Sequence, residues 1–558
     1  MPPIYSKALK TLFIHHAGQL RQTRTSPCEA KCLLGNSIQN VHTLLAEGKP
    51  DEALLWLHTR NPFPGITGRV CPHPCEDVCN RTGRDEALTI RSLERFAADH
   101  GRTATLKPLP SSGRRVAIIG AGPAGLSAAH FTALLGHAVD VYDRSPVMGG
   151  VPRQVIPDFR LPKDVVDREA AAAIEGNVTV FTNVTVGRDV FLADLLSRYD
   201  ACLMAVGLWK ERILNIPGKE HLQPAVAWLR RMTLDRENLA ERDVAILGGG
   251  GVAFDCAFTA KRLNARSVHL LCLENESCMR VPADELRQAH DEGIILHPSL
   301  LSRSVCQEQG RFLVEAEKET AFSFDEKGVL HVEPAAEPPF HLDADFVICA
   351  SGLMLDETVL NGMEVERTPR GMVQTDDRFR TSVPGLFAAG DMASGPGLVA
   401  SAIRSGREAA VSLHRFLTGA EEDMEIFLDA EQQVTARPSG QPVTPHTVGA
   451  EELMNIDYHE CAPRQLQPKR SFVPGLTFHE LEGGLSSEQA MKEASRCMHC
   501  GHCMECGSCV ESCPGYILEM GQDGPFVAYP SQCWHCGCCR IACPTGSIAY
   551  KFPLTMLL

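Results

Sequence analysis

A chain of 558 residues is too long for one hydrophobic core, so three or four domains are expected. A formal net charge of −15 argues against a nucleic-acid binder, which needs a basic face, and no uninterrupted apolar run is long enough to span a bilayer. The anomaly is the 23 cysteines: Met1-Pro2-Pro3-Ile4-Tyr5-Ser6-Lys7 begins no apolar signal region, so thiols this dense read as metal ligands in a cytoplasmic protein rather than as disulfides.

Residues 1–112 read as mostly helical, with loops at Asn61-Pro62-Phe63-Pro64-Gly65 and Pro72-His73-Pro74, and they hold Cys28, Cys32, Cys71, Cys75 and Cys79. Lys107 to Gly113 is a Pro/Ser/Gly linker. The strand Val116-Ala117-Ile118-Ile119 then opens an α/β region that runs to about Thr418. Gly120-Ala121-Gly122-Pro123-Ala124-Gly125 follows that strand and precedes a helix. Such glycines permit a tight turn and let the backbone approach a pyrophosphate at the helix N-terminus. Asp143 ends the next strand, where an acid accepts from a ribose hydroxyl.

A second unit starts at Val244-Ala245-Ile246-Leu247, with the turn Gly248-Gly249-Gly250-Gly251-Val252-Ala253. Its next strand ends at Glu274, which would accept from a 2′-hydroxyl and repel a 2′-phosphate. That favours NAD(H), while Arg280 on the following loop keeps NADP(H) open. Downstream, Gly385-Leu386-Phe387-Ala388-Ala389-Gly390-Asp391 resembles the second FAD motif of two-dinucleotide-domain flavoproteins, in which the Asp contacts the ribityl chain. A helix from about Leu398 would then aim its N-terminus at the flavin ring. Flavin disulfide reductases carry paired cysteines just after the first unit, but Met148 to Lys163 has none, and Cys202, alone in an apolar strand, reads as core. Electrons reaching a flavin here would leave singly, through iron–sulfur.

Residues 419–485 turn acidic and then Pro-rich, a connector that wraps the surface. The tail reads Cys503-x2-Cys506-x2-Cys509-x3-Cys513-Pro514, then Cys533-x2-Cys536-x2-Cys539-x3-Cys543-Pro544, the bacterial ferredoxin spacing twice over. Zinc ribbons and disulfides rarely repeat it. In that pattern the fourth cysteine of each run ligates the other cube. Cys503, Cys506, Cys509 and Cys543 should therefore hold one [4Fe–4S] cluster, and Cys533, Cys536, Cys539 and Cys513 the second. Cys538 reads as an uncommitted thiol, and His15, His16, His499, His502 and His535 as surface or supporting histidines.

Residues 20–420 resemble the small subunit of glutamate synthase and its relatives, including the N-terminal half of dihydropyrimidine dehydrogenase. The resemblance rests on Asn61-Pro62-Phe63-Pro64, Gly68-Arg69-Val70-Cys71-Pro72, Cys75-Glu76-x2-Cys79, Ser92-Leu93-Glu94-Arg95-Phe96, and Gly149-Gly150-Val151-Pro152 followed by Ile156-Pro157-Asp158-Phe159-Arg160-Leu161-Pro162-Lys163. It implies FAD, a nicotinamide nucleotide and [4Fe–4S] clusters in the N-terminal domain. Carried onto this chain, it adds Gly150 and Arg160 to the FAD set and assigns one cluster to Cys32, Cys71, Cys75 and Glu94. The family's upstream Arg-Cys-Leu-x-Cys pair is missing, since Tyr5 to Pro27 has no cysteine. The tail's Arg496-Cys497-Met498-His499-Cys500 looks like that pair moved to the other end, and predicts a cluster shared by Cys28, Cys79, Cys497 and Cys500.

The expected fold is multidomain α/β. It comprises an N-terminal α-helical iron–sulfur domain (1–112), a Rossmann-like FAD domain (113–220 and 346–418), an NAD(P)H domain inserted in it (221–345), the connector (419–485), and an α+β ferredoxin domain (486–558). The expected function is an oxidoreductase that passes electrons from NADH through FAD and clusters to an iron–sulfur partner or a larger enzyme complex, or runs in reverse. No protein acid or base is assigned to catalysis. The resemblance suggests several settings: glutamate synthase, a sulfur-metabolism subunit linked to dissimilatory sulfite reductase, a flavin-bifurcating subunit, or an oxidoreductase of aromatic or 2-oxoacid degradation; the ending Ile548 to Leu554 resembles ferredoxin subunits of sulfur metabolism. A non-catalytic electron-wiring adaptor is the rival class.

Overall fold

Val116, Ala117 and Ile118 are fully buried, as a parallel strand covered on both faces must be. In the computed structural model this strand, Arg115–Ile119, is the middle of a five-stranded parallel sheet, in the order Leu386–Ala388, Ala201–Met204, Arg115–Ile119, Ala138–Tyr142 and Val178–Phe181. The structure describes residues 24–102, 106–279, 281–325, 330–420, 424–428, 434–438, 446–450, 454–470, 472–473, 478–522 and 524–548. Residues Met1 to Lys7, His15, His16, Arg280 and the ending beyond Ile548 lie outside them, as does most of Tyr5 to Pro27. The helix Pro123–Leu134 packs against the long helix Val399–Thr418, where Gly406 is required because a Cβ there would lie 2.0 Å from the Ala124 carbonyl oxygen.

A second five-stranded parallel sheet runs Ile295–His297, Ser267–Leu271, Asp243–Leu247, Phe346–Cys349 and Gln223–Pro224. Phe346–Cys349 falls just past the domain boundary read from the sequence but pairs with Asp243–Leu247, so it lies in the second sheet. The sequence reading also gave no sign of a four-stranded antiparallel sheet, Leu300–Glu308, Arg311–Phe324, Leu330–Pro334 and Phe340–Ala344, which flanks this unit.

The N-terminal region is helical, with Ile38–Ala46, Pro50–His58, Pro64–Val70 and Ile90–His100 as its main helices. Its core holds Val41, Leu45, Leu57, Leu93 and Phe96, together with Leu485, Ala490 and Ala494 from the far end of the chain. The helix Ser487–Ser495, placed with the ferredoxin module by sequence, thus packs on Ile38–Ala46. A capping box at Ser486 and Gln489 starts it. The connector is strapped to the same region: Arg84 Nε donates to His459 O at 2.8 Å, Arg464 pairs with Glu76 at 2.6 Å, Arg95 with Glu480 at 3.0 Å and Arg91 with Glu482 at 3.1 Å. Arg24–Thr25 pairs in parallel with His446–Thr447. The tail module adds short helices, Ser508–Glu511 and Cys538–Ile541, and the hairpin Leu518–Gly521/Gly524–Val527.

Candidate functional site

The first glycine turn closes over the end of the first sheet. Gly120 has φ +108°, and a Cβ there would lie 2.4 Å from Ala205 O. A Cβ on Gly125 would lie 1.8 Å from Gly120 O, so this glycine seats the helix on the turn rather than facing a ligand. Beside the turn is a cleft of about 370 Å³ lined by Gly120, Gly122, Pro123, Ala124, Asp143, Gly150, Gly390, Asp391 and the start of the Val399–Thr418 helix. Asp143 is held in place by the amides of Ala121 at 2.6 Å and Ser145 at 2.7 Å, and burial outweighs these bonds and raises its carboxyl. Asp391 is likewise raised by burial, against the Gly397 amide. The glycine floor, two helix N-termini and two carboxylates fit a dinucleotide.

Arg160 differs from the sequence expectation. It is not among the cleft's lining residues; its guanidinium pairs with Asp255 at 2.7 Å and with Glu285, both in the second nucleotide unit. Among the cleft residues without a sequence signal are Trp209 and Arg144. Arg144 lies 5.5 Å from the Trp209 ring centroid and pairs with Asp356 at 2.6 Å. They arrive from separate loops, so no local motif marks them.

At the second turn, Gly248 has φ +140° and a Cβ would lie 2.4 Å from Ala350 O. Gly250 and Gly251 have open space where a Cβ would stand, and Ala253 is buried in the helix Gly251–Arg262. Glu274 Oε2 lies 2.7 Å from where a Gly249 Cβ would be, which puts its carboxylate against the turn.

The cysteines of the N-terminal region lie near one another and near Glu94. Burial, then Glu94 and Cys32, push the Cys71 thiol up to about 12; burial, then Cys32, Glu76 and Cys71, raise Cys75. Glu94 is partly buried, and its desolvation pushes the carboxyl up to about 7. Thr67 Oγ1 donates to its Oε1, Asn61 Nδ2 does so at 3.0 Å, and Asn36 Nδ2 donates to its Oε2 at 3.3 Å. Arg407, 7% exposed, reaches from the Val399–Thr418 helix to donate to Leu34 O and Arg60 O, both at 2.7 Å, close to Cys32. A buried cation that donates to carbonyls suits a site that takes negative charge.

Cys75 and Cys79 are buried with Ile38, Leu88 and Ile90, and Cys28, Cys32 and Cys497 pack against this cluster. Burial raises Cys28 well above its ordinary value, opposed by Ser26 and joined by Cys497 and Cys500. Burial and Cys79 raise Cys500 to about 12, against an Asn80 hydrogen bond. Gln39 Nε2 donates to Cys500 O at 2.8 Å, and Arg81 Nη1 to Arg496 O at 3.1 Å. Arg496 pairs with Asp85 at 2.9 Å and Glu493 at 2.8 Å, and Glu493 accepts from the Thr89 amide at 2.9 Å. In the tail, Cys509 is raised to about 11 by burial and then Cys543, Cys503 and Cys506, and Cys539 to about 11 by burial and then, against the Arg540 amide, Cys533, Cys509 and Cys536. Cys513 is lowered, because amides beginning with that of Ile517 outweigh its burial. Cys538 lies against Cys536. Among the described residues no three His, Cys, Asp or Glu converge closely enough for a single ion. A [4Fe–4S] cube would spread its irons over four ligands and would not need such a convergence on one point.

Residues 114–406 match the pyridine nucleotide-disulphide oxidoreductase family, residues 4–106 the family of dihydropyrimidine dehydrogenase domain II with its 4Fe-4S cluster, and residues 502–547 the 4Fe-4S dicluster domain. The chain is 32% identical over 428 residues to the small chain of NADPH glutamate synthase from Mycobacterium tuberculosis, covering 70% of this chain and 86% of that one. The chain belongs to the glutamate synthase small-subunit-like family of iron–sulfur flavoproteins. For this family the matched models imply FAD, NAD(P)H and [4Fe–4S] clusters. Similarity over a larger share of the chain is to the beta subunit of NADP(+)-dependent formate dehydrogenase from Moorella thermoacetica (32% identity over 516 residues, 85% of this chain and 70% of that one). The beta subunit of the NADPH-Fe(3+) oxidoreductase of Geobacter sulfurreducens is 27% identical over 511 residues, covering 85% of this chain and 75% of that one. No helix among the described residues is long and apolar enough to cross a membrane.

Proposed function

We propose that this chain is the electron-input subunit of a larger enzyme, taking electrons from NADH and passing them to an iron–sulfur partner. Bound FAD supplies two-electron exchange with a nicotinamide nucleotide and one-electron exchange with a cluster. The protein's part is to hold the groups and exclude alternatives. Gly120, Gly122, Pro123 and Ala124 cradle the pyrophosphate, Gly125 seats the helix behind them, and Asp143 and Asp391 receive the ribose and ribityl hydroxyls. Gly248, Gly250, Gly251 and Ala253 form the second cradle, with Glu274 reading its ribose. The observation that carries this reading is the Val399–Thr418 helix. It begins in the FAD cleft, and its Arg407 ends among the carbonyls beside Cys32, which joins flavin site and first cluster site through one rigid element.

Four ligand sets complete the route: Cys32, Cys71, Cys75 and Glu94; Cys28, Cys79, Cys497 and Cys500; Cys503, Cys506, Cys509 and Cys543; and Cys533, Cys536, Cys539 and Cys513. The reading expects about sixteen irons per chain. The partner is expected to be a subunit with its own catalytic centre, since the relatives from Moorella and Geobacter are named as beta subunits.

The nucleotide is expected to differ from the NADP(+) and NADPH in those relatives' names, because Glu274 repels a 2′-phosphate. A stopped-flow experiment tests both points: NADH should bleach the flavin absorbance. Steady-state dye reduction should then give a larger kcat/KM for NADH than for NADPH, and Glu274→Arg should reverse the order. No bleach with either nucleotide leaves the wiring adaptor as the better reading.

A further inference from the structure

Glu319 lies in the middle of the strand Arg311–Phe324, which pairs first with Leu300–Glu308 and then with Leu330–Pro334. The register shifts between Glu319 and Ala321. An irregularity of this kind re-aims a side chain, and here it turns a carboxylate inward. Glu319 is 5% exposed, and among the described residues no donor reaches its Oε2. A buried acceptor left without a partner is costly, so it calls for a donor that a ligand can bring.

The surroundings say which ligand. The Glu319 amide donates to Ser299 O at 3.0 Å, and the Ser299 amide donates to Glu274 O at 3.3 Å. Ser299 has φ +58°, a left-handed conformation that non-glycine residues seldom adopt, and it joins the two acidic residues through one backbone step. Glu319 and Glu274 sit near enough that Glu274 adds to burial in raising the Glu319 carboxyl. Both act on the Cys272 thiol, whose Cβ lies 2.8 Å from where a Gly249 Cβ would stand, with Glu274 Oε2 at 2.7 Å from the same point. Any side chain at position 249 would collide with Glu274, so the run of four glycines makes room for the acids as well as for a phosphate.

We propose that Glu319 is a second ribose-reading residue: with Glu274 it offers the adenosine ribose diol of NAD(H) a pair of acceptors and rejects a 2′-phosphate. This rests on the reading of Gly248 to Glu274 as the nicotinamide dinucleotide site. A ribose with free 2′- and 3′-hydroxyls brings two donors to two carboxylates. A 2′-phosphate removes one donor and sets its negative charge against both acids.

The test uses the complete holoprotein and two readouts. One is the ratio of kcat/KM for NADPH to that for NADH. The other is calorimetric binding of 5′-AMP and of 2′,5′-ADP, which needs no turnover. Glu319→Gln keeps the size and removes the charge. It should raise the ratio about tenfold, or about 1.4 kcal/mol. The change should fall on KM rather than kcat, and 2′,5′-ADP should gain on 5′-AMP by a similar factor. Glu319→Asp, which withdraws the carboxylate by one methylene, should shift both readouts the same way by less, and serves if the Gln variant does not fold. If both ratios stay within twofold of the unsubstituted protein while Glu274→Gln moves them, the proposal is overturned and Glu274 reads the ribose alone. If neither fragment binds the unsubstituted protein, the dinucleotide reading falls and takes the proposal with it.

Discussion

Arg407 and Glu169 show how single charges tie the flavin region to the helical domain. Arg407 is a buried cation that donates to two carbonyls and lies within electrostatic reach of Glu408 and of Cys32, where a cluster is proposed. A cation there stabilises the reduced, more negative state of a cluster. Arg407→Gln should lower one midpoint potential in an EPR-monitored titration by about 59 mV or more, a tenfold change for one electron, with iron and FAD content unchanged. Glu169 accepts from the Gly65 amide at 2.5 Å and the Ile66 amide at 2.9 Å, at the start of the helix Pro64–Val70. Burial outweighs both bonds and pushes its carboxyl up to about 8. An acid whose folded value is raised stabilises the fold at low pH and loses that contribution as pH climbs through about 8. The loss is at most about 1.4 kcal/mol per pH unit. The melting temperature should therefore fall from pH 6 to pH 9, and Glu169→Gln should flatten that fall. An equal slope in the variant would place the titration elsewhere.

At the scale of elements, the helix Ser487–Ser495 decides where the tail can be cut. Its Ala490 and Ala494 are part of the core formed by Val41, Leu45 and Leu93. Truncation after residue 485 should open that core and give a protein that loses three clusters and binds a hydrophobic dye. Truncation after Gly501 should keep NADH-dependent dye reduction, lose only the two ferredoxin cubes, and fail to reduce the native acceptor. Metal analysis with dye binding separates the two. The motif-bearing elements were legible in the sequence because each follows a short-range rule: glycines after an apolar strand, an acid ending the next one, cysteines at fixed intervals. What escaped lacks such a rule. Arg160 sits in a recognisable motif, yet Asp255 and Glu285 come from other parts of the chain to claim it. The antiparallel sheet that carries Glu319 has too little alternation to stand out: its central strand buries only Val314, Ala316 and Glu319. Phe346–Cys349 was assigned to the wrong side of a boundary because an apolar strand fits either sheet equally well.

Across the whole molecule, the two ends are sewn together. Changing Cys497 and Cys500 together to Ser should remove about four irons of about sixteen, spare the ferredoxin signals, and speed proteolysis within 419–485 as the strap loosens. Full iron content and unchanged EPR spectra in that variant would refute the shared site. The sequence hinted at this arrangement only through surplus: two cysteines without partners at one end and two at the other. The network that accompanies them joins the local pair Arg81 and Asp85 to the local pair Glu493 and Arg496, and that junction carries no spacing signature, since the two pairs lie more than four hundred residues apart. That separation has a consequence in time. A ribosome adds about 5–20 residues per second, and domains ordinarily fold as they emerge. The helical domain is made first, yet the helix that completes its core and the last two thiols of its pocket leave the ribosome roughly 20–80 s later. The domain made first is thus the last to close, and on the proposed shared site its cluster would be inserted only once Cys497 and Cys500 have emerged. Stalled chains ending near residue 480 should show protease-sensitive residues 24–102 beside an already resistant nucleotide region, and release of the full chain should abolish the difference.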